Sequence, residues 1–328
     1  MGGDHAPEEI VKGALDAARQ GLAAITLVGD KHRLDPLLQG VDLASLGVDV
    51  VHASEVIGMG EAPTTALRQK KDASITVALR LVKEGKADGV VAAGSTGAAM
   101  AGALMTLGRI PGIERPAIAA VMPTQTGPVI LLDVGANVDS KPLYLQQFAI
   151  MGSVYCRAVF KVERPRVGLF NIGEEEGKGN DLAKEAYPML KAVPGLNFVG
   201  NIEGRDLPRG AADVVVCDGF IGNGLLKMAE GMALLLMDMM KEEISRDWRG
   251  KAGAALMKPN LKALKRRLDY AEYGGAPLLG VNGVCIIGHG SSKALGIFHA
   301  VRVAKQCIEG RAIDTIRQEL ASSPAKQA

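Results

Sequence analysis

Lys178 stands between Gly177 and Gly179, just ahead of a helix-like stretch that begins near Asn180. A primary ammonium in that place is a compact charge with three donors, able to join the free N–H groups of a helix start in holding an anion. Most lysines in such turns are simply solvated, so the neighbouring features decide its weight. Asn223 follows Gly222 at the head of a long helical stretch. It reads either as a plain N-cap or as an amide donor to phosphate or to an oxyanion, and the two roles can coexist. Gly94-Ser95-Thr96-Gly97 and Gly288-His289-Gly290-Ser291-Ser292 add hydroxyls at helix starts, which are caps or anion donors. His5, in the opening Met1-Gly2-Gly3-Asp4-His5, and His289 read as phosphate donors, as acid/base groups or as hydrogen-bonded structural imidazoles. Asp133, Asn137 and Asp139 read first as braces of their turn, since carboxylates repel phosphate unless paired. Asn137 is kept among the anion-binding candidates, with Gly179 and Asn180. Glu174-Glu175-Glu176 reads as a solvated turn.

These residues sit in seven short Gly-rich turns, the others running from Gly173 to Asn180, Asp218 to Asn223 and Tyr273 to Ala276. Most lie between an apolar, β-branched run and a helical pattern. The runs Ile25–Val28, Val48–His52, Gly89–Ala93, Ala117–Met122, Val129–Val134, Val167–Ile172, Asn197–Val199, Val214–Cys217 and Val284–Ile287 read as strands covered on both faces. Helical patterns at Glu8–Gln20, Ala73–Glu84, Ala98–Leu107, Leu143–Phe160, Leu182–Ala192 and Ser292–Gly310 alternate with them. The alternation predicts an α/β fold with a mostly parallel sheet. In such a sheet the turns would gather around one crevice that favours phosphate. One region departs from the pattern. From Leu225 to about Tyr270 the sequence is helical throughout, with a break expected at Arg249-Gly250, and it reads as a hairpin projecting from a single domain of residues 1–328. The last residues, Ser322 to Ala328, read as disordered.

Composition narrows the function. Apolar residues make up 48% and aromatics 4% of 328 residues, so Ala, Val, Leu, Ile and Met must build the core. A net charge of +2 from 38 basic and 36 acidic residues is too balanced for a general nucleic-acid binder. Four well-separated cysteines read as buried thiols rather than disulfides or metal ligands. No stretch approaches the ~20 apolar residues of a membrane span, and no signal peptide is recognised; the expectation is a soluble, cytoplasmic protein. GxGxxG, GxxxxGK[ST], GxSxG and HExxH are absent, which argues against a Rossmann dehydrogenase, a P-loop NTPase, a serine hydrolase and a zinc protease.

Several blocks carry a resemblance. Met1-Gly2-Gly3-Asp4-His5-Ala6-Pro7, Leu131–Asp139, Phe148–Val154, Asn171-Ile172-Gly173-Glu174-Glu175-Glu176, Cys217-Asp218-Gly219-Phe220 and His289-Gly290-Ser291 resemble the PlsX family of bacterial phosphate acyltransferases. The resemblance covers nearly the whole chain. It implies a fold similar to isocitrate and isopropylmalate dehydrogenases and phosphotransacetylases, a homodimer, and a role in phospholipid synthesis. The implied reaction moves the acyl group of acyl-acyl-carrier-protein to inorganic phosphate, without metal or other cofactor. On this basis Lys178 and Asn223 become the catalytic candidates. His5, Ser95, Thr96, Gly97, Asn137, Gly179, Asn180, His289 and Ser291 become candidates for binding phosphate or thioester. Two departures stand out. That family usually has a short strand ending in Asp-Ala ahead of the Met-Gly-Gly-Asp block, where this chain starts at the Met. Ser95 replaces a usual Asn and still offers a hydroxyl.

Two other readings remain: a phosphotransacetylase acting on acetyl-CoA, and a metal- and NAD(P)-dependent hydroxyacid dehydrogenase of the same fold. The second needs a carboxylate cluster that the sequence does not display. The helical region suggests partners as well. Its first half is apolar around much of its circumference, and its second half sets Lys251, Lys258, Lys262, Lys265, Arg266 and Arg267 beside Leu256, Met257, Leu261, Leu264 and Leu268. Such a pattern suits either a four-helix dimer contact or weak binding of Leu256, Met257 and Lys258 to an anionic membrane surface, near a membrane acyltransferase.

Overall fold

The computed structural model describes residues 1–268 and 273–322, apart from the side chains of Lys265, Leu268 and Ser322. The expected end of the helical region near Tyr270 and the tail beyond Ser322 lie outside the described residues, as do the side chains of Lys265 and Leu268. In chain order come α1 (Glu8–Arg19), β1 (Ile25–Gly29), α2 (Lys31–Leu38), α3 (Leu43–Leu46), β2 (Val48–His52), α4 (Pro63–Gln69), α5 (Ser74–Lys83) and β3 (Gly89–Ala92). There follow α6 (Thr96–Thr106), β4 (Ala117–Pro123), β5 (Pro128–Leu132), α7 (Pro142–Tyr155) with a π turn at Cys156–Phe160, β6 (Arg166–Phe170), α8 (Asp181–Lys191), β7 (Asn197–Ile202) and β8 (Val214–Val216). The last third holds α9 (Gly219–Ser245), α10 (Trp248–Leu256), α11 (Lys258–Leu268), β9 (Ala276–Leu279), β10 (Val284–Ile287), α12 (Ala294–Glu309) and α13 (Ala312–Ser322).

Eight strands form the central sheet in the order β3-β10-β9-β4-β5-β8-β6-β7, and β1 pairs with β2 in a second, two-stranded sheet. Pairing is parallel between β3 and β10 and along β5-β8-β6-β7; it is antiparallel where β9 and β4 join the two parts. Both faces are buried, as the near-continuous apolar runs require. Ile130 and Leu132 of β5, with Val214 and Val216 of β8, pack into one core beside Phe148, Met151 and Tyr155 of α7. The intervening Val129, Leu131 and Val215 pack into another core with Ala99 and Ala103 of α6. A third cluster joins α1 to the small sheet through Val11, Leu15, Leu27 and Val48.

The joint between the halves has a topological consequence. Because β9 and β4 reverse direction, β3 and β10 run opposite to β5, β8, β6 and β7. The Gly-rich turns are therefore delivered in two groups on oppositely directed strands, rather than around one carboxyl edge. A second feature lies at the other end of the sheet. The open edges of β1 and β3 border a cavity of about 600 Å³, lined also by Val11 of α1, Ile75 of α5 and Ile297 of α12.

The helical region divides differently from expectation. α9 ends at Ser245, and α10 begins after Asp247, whose Oδ1 accepts from Gly250 N at 2.7 Å. The break thus falls at Arg246-Asp247, and Gly250 sits inside the next helix, where a Cβ would meet the Ile244 carbonyl. A second break at Met257 separates α10 from α11. α9 is long and apolar enough, by length and composition, to cross a membrane. This differs from the expectation that no stretch approaches a membrane span: Lys227, Glu230, Asp238 and Lys241 interrupt the apolar pattern of a helix whose mean hydropathy is still high.

Candidate functional site

The first group of turns leaves three neighbouring parallel strands, β5, β8 and β6. Asp133, one residue past β5, is fully buried and spends its carboxylate on three backbone N–H groups and one side-chain amide. Oδ1 accepts from Ile118 N at 2.9 Å and Ala136 N at 3.1 Å; Oδ2 accepts from Asn137 N at 2.6 Å and Asn137 Nδ2 at 3.0 Å. Burial pushes the Asp133 pKa above the ordinary aspartate value, and these donors pull the other way. Asn137 Nδ2 also donates to Pro116 O at 2.8 Å, so one N–H of its amide holds the turn and the other ties it to the chain entering β4. Bracing, the first reading from sequence, is what these contacts do.

The β8 turn runs straight into α9. Asp218 is the N-cap, its Oδ1 accepting from Ile221 N at 2.8 Å. Asn223 is consequently not the cap. It lies one turn into the helix, exposed, against Gly135 of the Asp133 turn. Gly219 and Gly222 let the helix start approach that turn. Gly219 N donates to Asn137 O at 2.7 Å, and a Cβ on Gly222 would run into the Asp133 carbonyl. Close packing of helix start on turn explains two glycines in the first four helical positions, where propensity alone disfavours them.

The β6 turn, residues 171–180, carries Lys178. Asn171, buried at the strand end, accepts from Ile172 N through Oδ1 at 2.8 Å and donates from Nδ2 to Lys178 O at 2.9 Å. Asn201, buried in neighbouring β7, donates to Glu175 O at 2.8 Å. The loop is thus held from both sides while the Lys178 side chain stays exposed. Gly179 has φ +96°, and a Cβ there would crowd Asn171 and Ala183. Asn180 caps α8, its Oδ1 accepting from Ala183 N at 2.9 Å. Asn171 and Asn201 are absent from the sequence-derived site; their role depends on strand neighbours distant in the chain.

The second group leaves β3 and β10. Ser95 caps α6 through Oγ, which accepts from Ala98 N at 3.3 Å. Thr96 is exposed on the first turn, and Gly97 lies against Pro63. Ser291 N donates to His289 Nδ1 at 3.2 Å, and the Ser291 hydroxyl lies 2.7 Å from the same nitrogen. A nitrogen that accepts a backbone N–H carries no proton of its own, so the neutral imidazole is protonated on Nε2. The opening turn joins this group where Asp4 N donates to Gly290 O at 2.9 Å, and His5 is exposed beside it.

All four cysteines are buried. Burial pushes the thiols of Cys156, Cys285 and Cys307 up to about 12, which leaves them un-ionised. Leu256, Met257 and Lys258 are exposed at the α10–α11 junction. Arg267, counted in sequence with the free basic face, instead donates to the Thr124 and Gln125 carbonyls at 3.0 and 3.1 Å.

Comparison with known proteins fits this architecture. The profile of a family described as "Fatty acid synthesis protein" matches residues 1–314. A phosphate acyltransferase of Synechococcus sp. (strain JA-3-3Ab) is 55% identical over 99% of this chain and 90% of its own length. One from Pelotomaculum thermopropionicum is also 55% identical, over 100% and 95%. Among solved structures, a phosphotransacetylase from Streptococcus pyogenes superposes with TM-score 0.63 at 18% identity, covering 94% of this chain and 92% of that one. A 4-hydroxythreonine-4-phosphate dehydrogenase from Klebsiella pneumoniae gives 0.52 at 13% identity, covering 92% and 94%. At such identities these structures speak to the fold alone.

Proposed function

The chain belongs to this fatty acid synthesis family, whose curated relatives are phosphate acyltransferases, and we propose that it transfers a fatty acyl group from acyl carrier protein to inorganic phosphate at the β5-β8-β6 edge. The observation that carries the placement is convergence. Three adjacent parallel strands deliver the Asp133 turn, the start of α9 and the Lys178 turn to the same edge, with two helix N-termini beside them. Lys178 holds the phosphate, helped by the field of those helix starts. A phosphate oxygen attacks the thioester carbonyl, the C–O bond forms and the C–S bond breaks. The leaving thiolate of the carrier takes up a proton. Asn223, whose side chain caps nothing, donates to the carbonyl oxygen as it becomes negative. His5, Ser95, Thr96, Gly97, His289 and Ser291 contribute to holding the donor from the second group, and Asn137, Gly179 and Asn180 shape the first. The hydroxyacid dehydrogenase reading is not carried forward, since these relatives at high identity are acyltransferases.

Residues 1–328 act as one acyltransferase unit in the cytoplasm, with products passing into phospholipid synthesis. The exposed apolar side chains farther along α9, among them Leu234, Leu235, Leu236 and Met239, suit pairing with a second copy. Exposed Leu256, Met257 and Lys258 at the far end suit weak contact with anionic lipid, near a membrane acyltransferase that consumes the labile product. The test is phosphate-dependent thiol release, with long-chain acyl carrier protein and acetyl-CoA compared as donors. Preference for acetyl-CoA would turn the reading toward a phosphotransacetylase, and release that ignores phosphate would end it.

A further inference from the structure

Three large apolar side chains stand out in solvent at the same edge: Val138, Ile172 and Phe220, with 61%, 80% and 72% of their surface exposed. Each follows a different strand of the set β5, β6 and β8, and β8 lies between the other two. Their exposure is built in. The backbone around each is pinned by a polar side chain: Asp133 accepts from Asn137 N, Asn171 accepts from Ile172 N, and Asp218 accepts from Ile221 N. Asp133, Asn171 and Asp218 are themselves buried. From Phe220 a shallow groove continues along the first turns of α9 past Asn223 and Gly224 to Leu225 and Met228. A Cβ on Gly224 would meet nothing within 4 Å, so this stretch of the helix offers open floor beside walls that are mostly apolar, with Asn223 and Lys227 also lining it.

We propose that Val138, Ile172 and Phe220, with the groove over Gly224 toward Met228, form the seat of the alkyl chain of the acyl donor and set the enzyme's chain-length preference. The proposal rests on the placement of the reaction at this edge and adds the substrate's second half to it. An acyl thioester poised for attack by phosphate has a polar end and a long apolar end. Here Lys178 and Asn223 serve the first, while the three loop residues and the helix groove serve the second. Covering one methylene changes affinity by about fourfold, so a groove of two helical turns can separate long donors from short ones.

The experiment measures kcat/KM for donors of four, eight, twelve and sixteen carbons, and KM for phosphate, in wild type, Phe220→Ser, Ile172→Ser and Gly224→Leu. The expected result is a sixteen-to-four-carbon ratio that falls about tenfold or more in each variant, with KM for phosphate unmoved. Gly224→Leu adds helix propensity and blocks the groove, which keeps the test valid if a serine variant folds poorly. An equal loss at every chain length, or none, overturns the proposal. So does an unchanged ratio accompanied by loss of a dimer in solution scattering, which would make the patch a contact between copies. Lys178→Ala is run alongside: full activity in that variant refutes the anion site, whatever the chain-length profile shows.

Discussion

The two groups of turns are built from similar residue types and held in different ways. At the β5-β8-β6 edge, buried polar side chains carry the structure: Asp133, Asn171 and Asn201 fix backbone atoms, and Lys178 and Asn223 are left facing solvent. At the β3-β10 edge, Ser95 accepts from Ala98 N and His289 from Ser291 N within their own turns, while Glu9 of α1 accepts from Ala294 N at the start of α12. The first edge stands on a sheet covered on both faces, whereas the second adjoins the cavity between β1 and β3. Rigid support independent of the reacting groups is what precise placement of an anion demands. A self-bonded turn suits a looser hold on a substrate.

The largest expected effect of breaking this contrast is on stability. Asp133→Ala removes the partner of one buried N–H group, two part-buried ones and an amide, and a loss of about 2–4 kcal/mol is expected. Denaturant unfolding checks it; a loss under about 1 kcal/mol would mean the turn is not braced by this carboxylate. Next comes turnover. Lys178→Ala should lower phosphate-dependent thiol release at least about 100-fold with an unchanged melting temperature, while His289→Ala should lower it by less than about tenfold. Equal losses in the two variants would erase the distinction between the edges.

Smaller effects sharpen the same picture. Asp218→Ala should cost about 1 kcal/mol as a lost N-cap, and Asn223→Ala should leave stability within a few tenths while lowering turnover. Melting curves set beside single-turnover rates separate the two, and a clear stability loss in Asn223→Ala would return it to the role of cap. At the other edge, six Val and Ile residues fused ahead of Met1 should raise the melting temperature by about 1.5 °C, on the order of 1 kcal/mol. Residues 1–3 lie between the ends of β1 and β3, with Met1 against Gly29 and Gly3 against Ala93, so such a segment can reach both open edges. A melting temperature that does not rise would show that the cavity does not accept a strand.

What sequence reveals here divides along the same line. Long apolar runs and strong helical periodicity placed most strands and the long helices, because burial on both faces leaves a continuous signal. β9 escaped notice: Ala276–Leu279 is four residues with a Pro in second place, which weakens any strand pattern, yet it joins the halves of the sheet. Missing β9 concealed the reversal that separates the turns into two groups. Short polar helices such as α2, with Pro36 inside, were equally illegible. In the site, the local chemistry of Lys178 and Gly179 could be read directly, as could the cap at Asn180. Asn171 and Asn201 could not, since each acts on a loop that only strand neighbours bring near. Of the two readings of Asn223, the cap falls to Asp218, five residues earlier and in extended conformation; Asn after Gly is an attractive cap signal in sequence alone.

The smallest expected effect tests polar bracing at the opposite ends of these same strands. Asp213 accepts from Arg166 N at 2.7 Å and from the Arg166 guanidinium at 2.8 and 3.2 Å, tying the start of β6 to the start of β8. Burial pushes the Asp213 pKa up, but the hydrogen bonds and charge of Arg166 outweigh it and the net shift is downward. A carboxylate with a folded pKa below its unfolded value of about 3.9 stabilises the protein above that pH, and the contribution fades as pH falls through the folded value. The raised pKa of Arg166 lies far above this window and adds nothing to it. Because the guanidinium is partly exposed and screened, Asp213→Asn should cost no more than about 1 kcal/mol at pH 7. Stability measured from pH 7 down to pH 3 should show the variant and wild type converging at the acid end. A gap that stays constant across that range would mean that packing, rather than the ion pair, joins these strand ends. Turnover at pH 7 should stay level in the variant, in contrast to Lys178→Ala at the other end of β6.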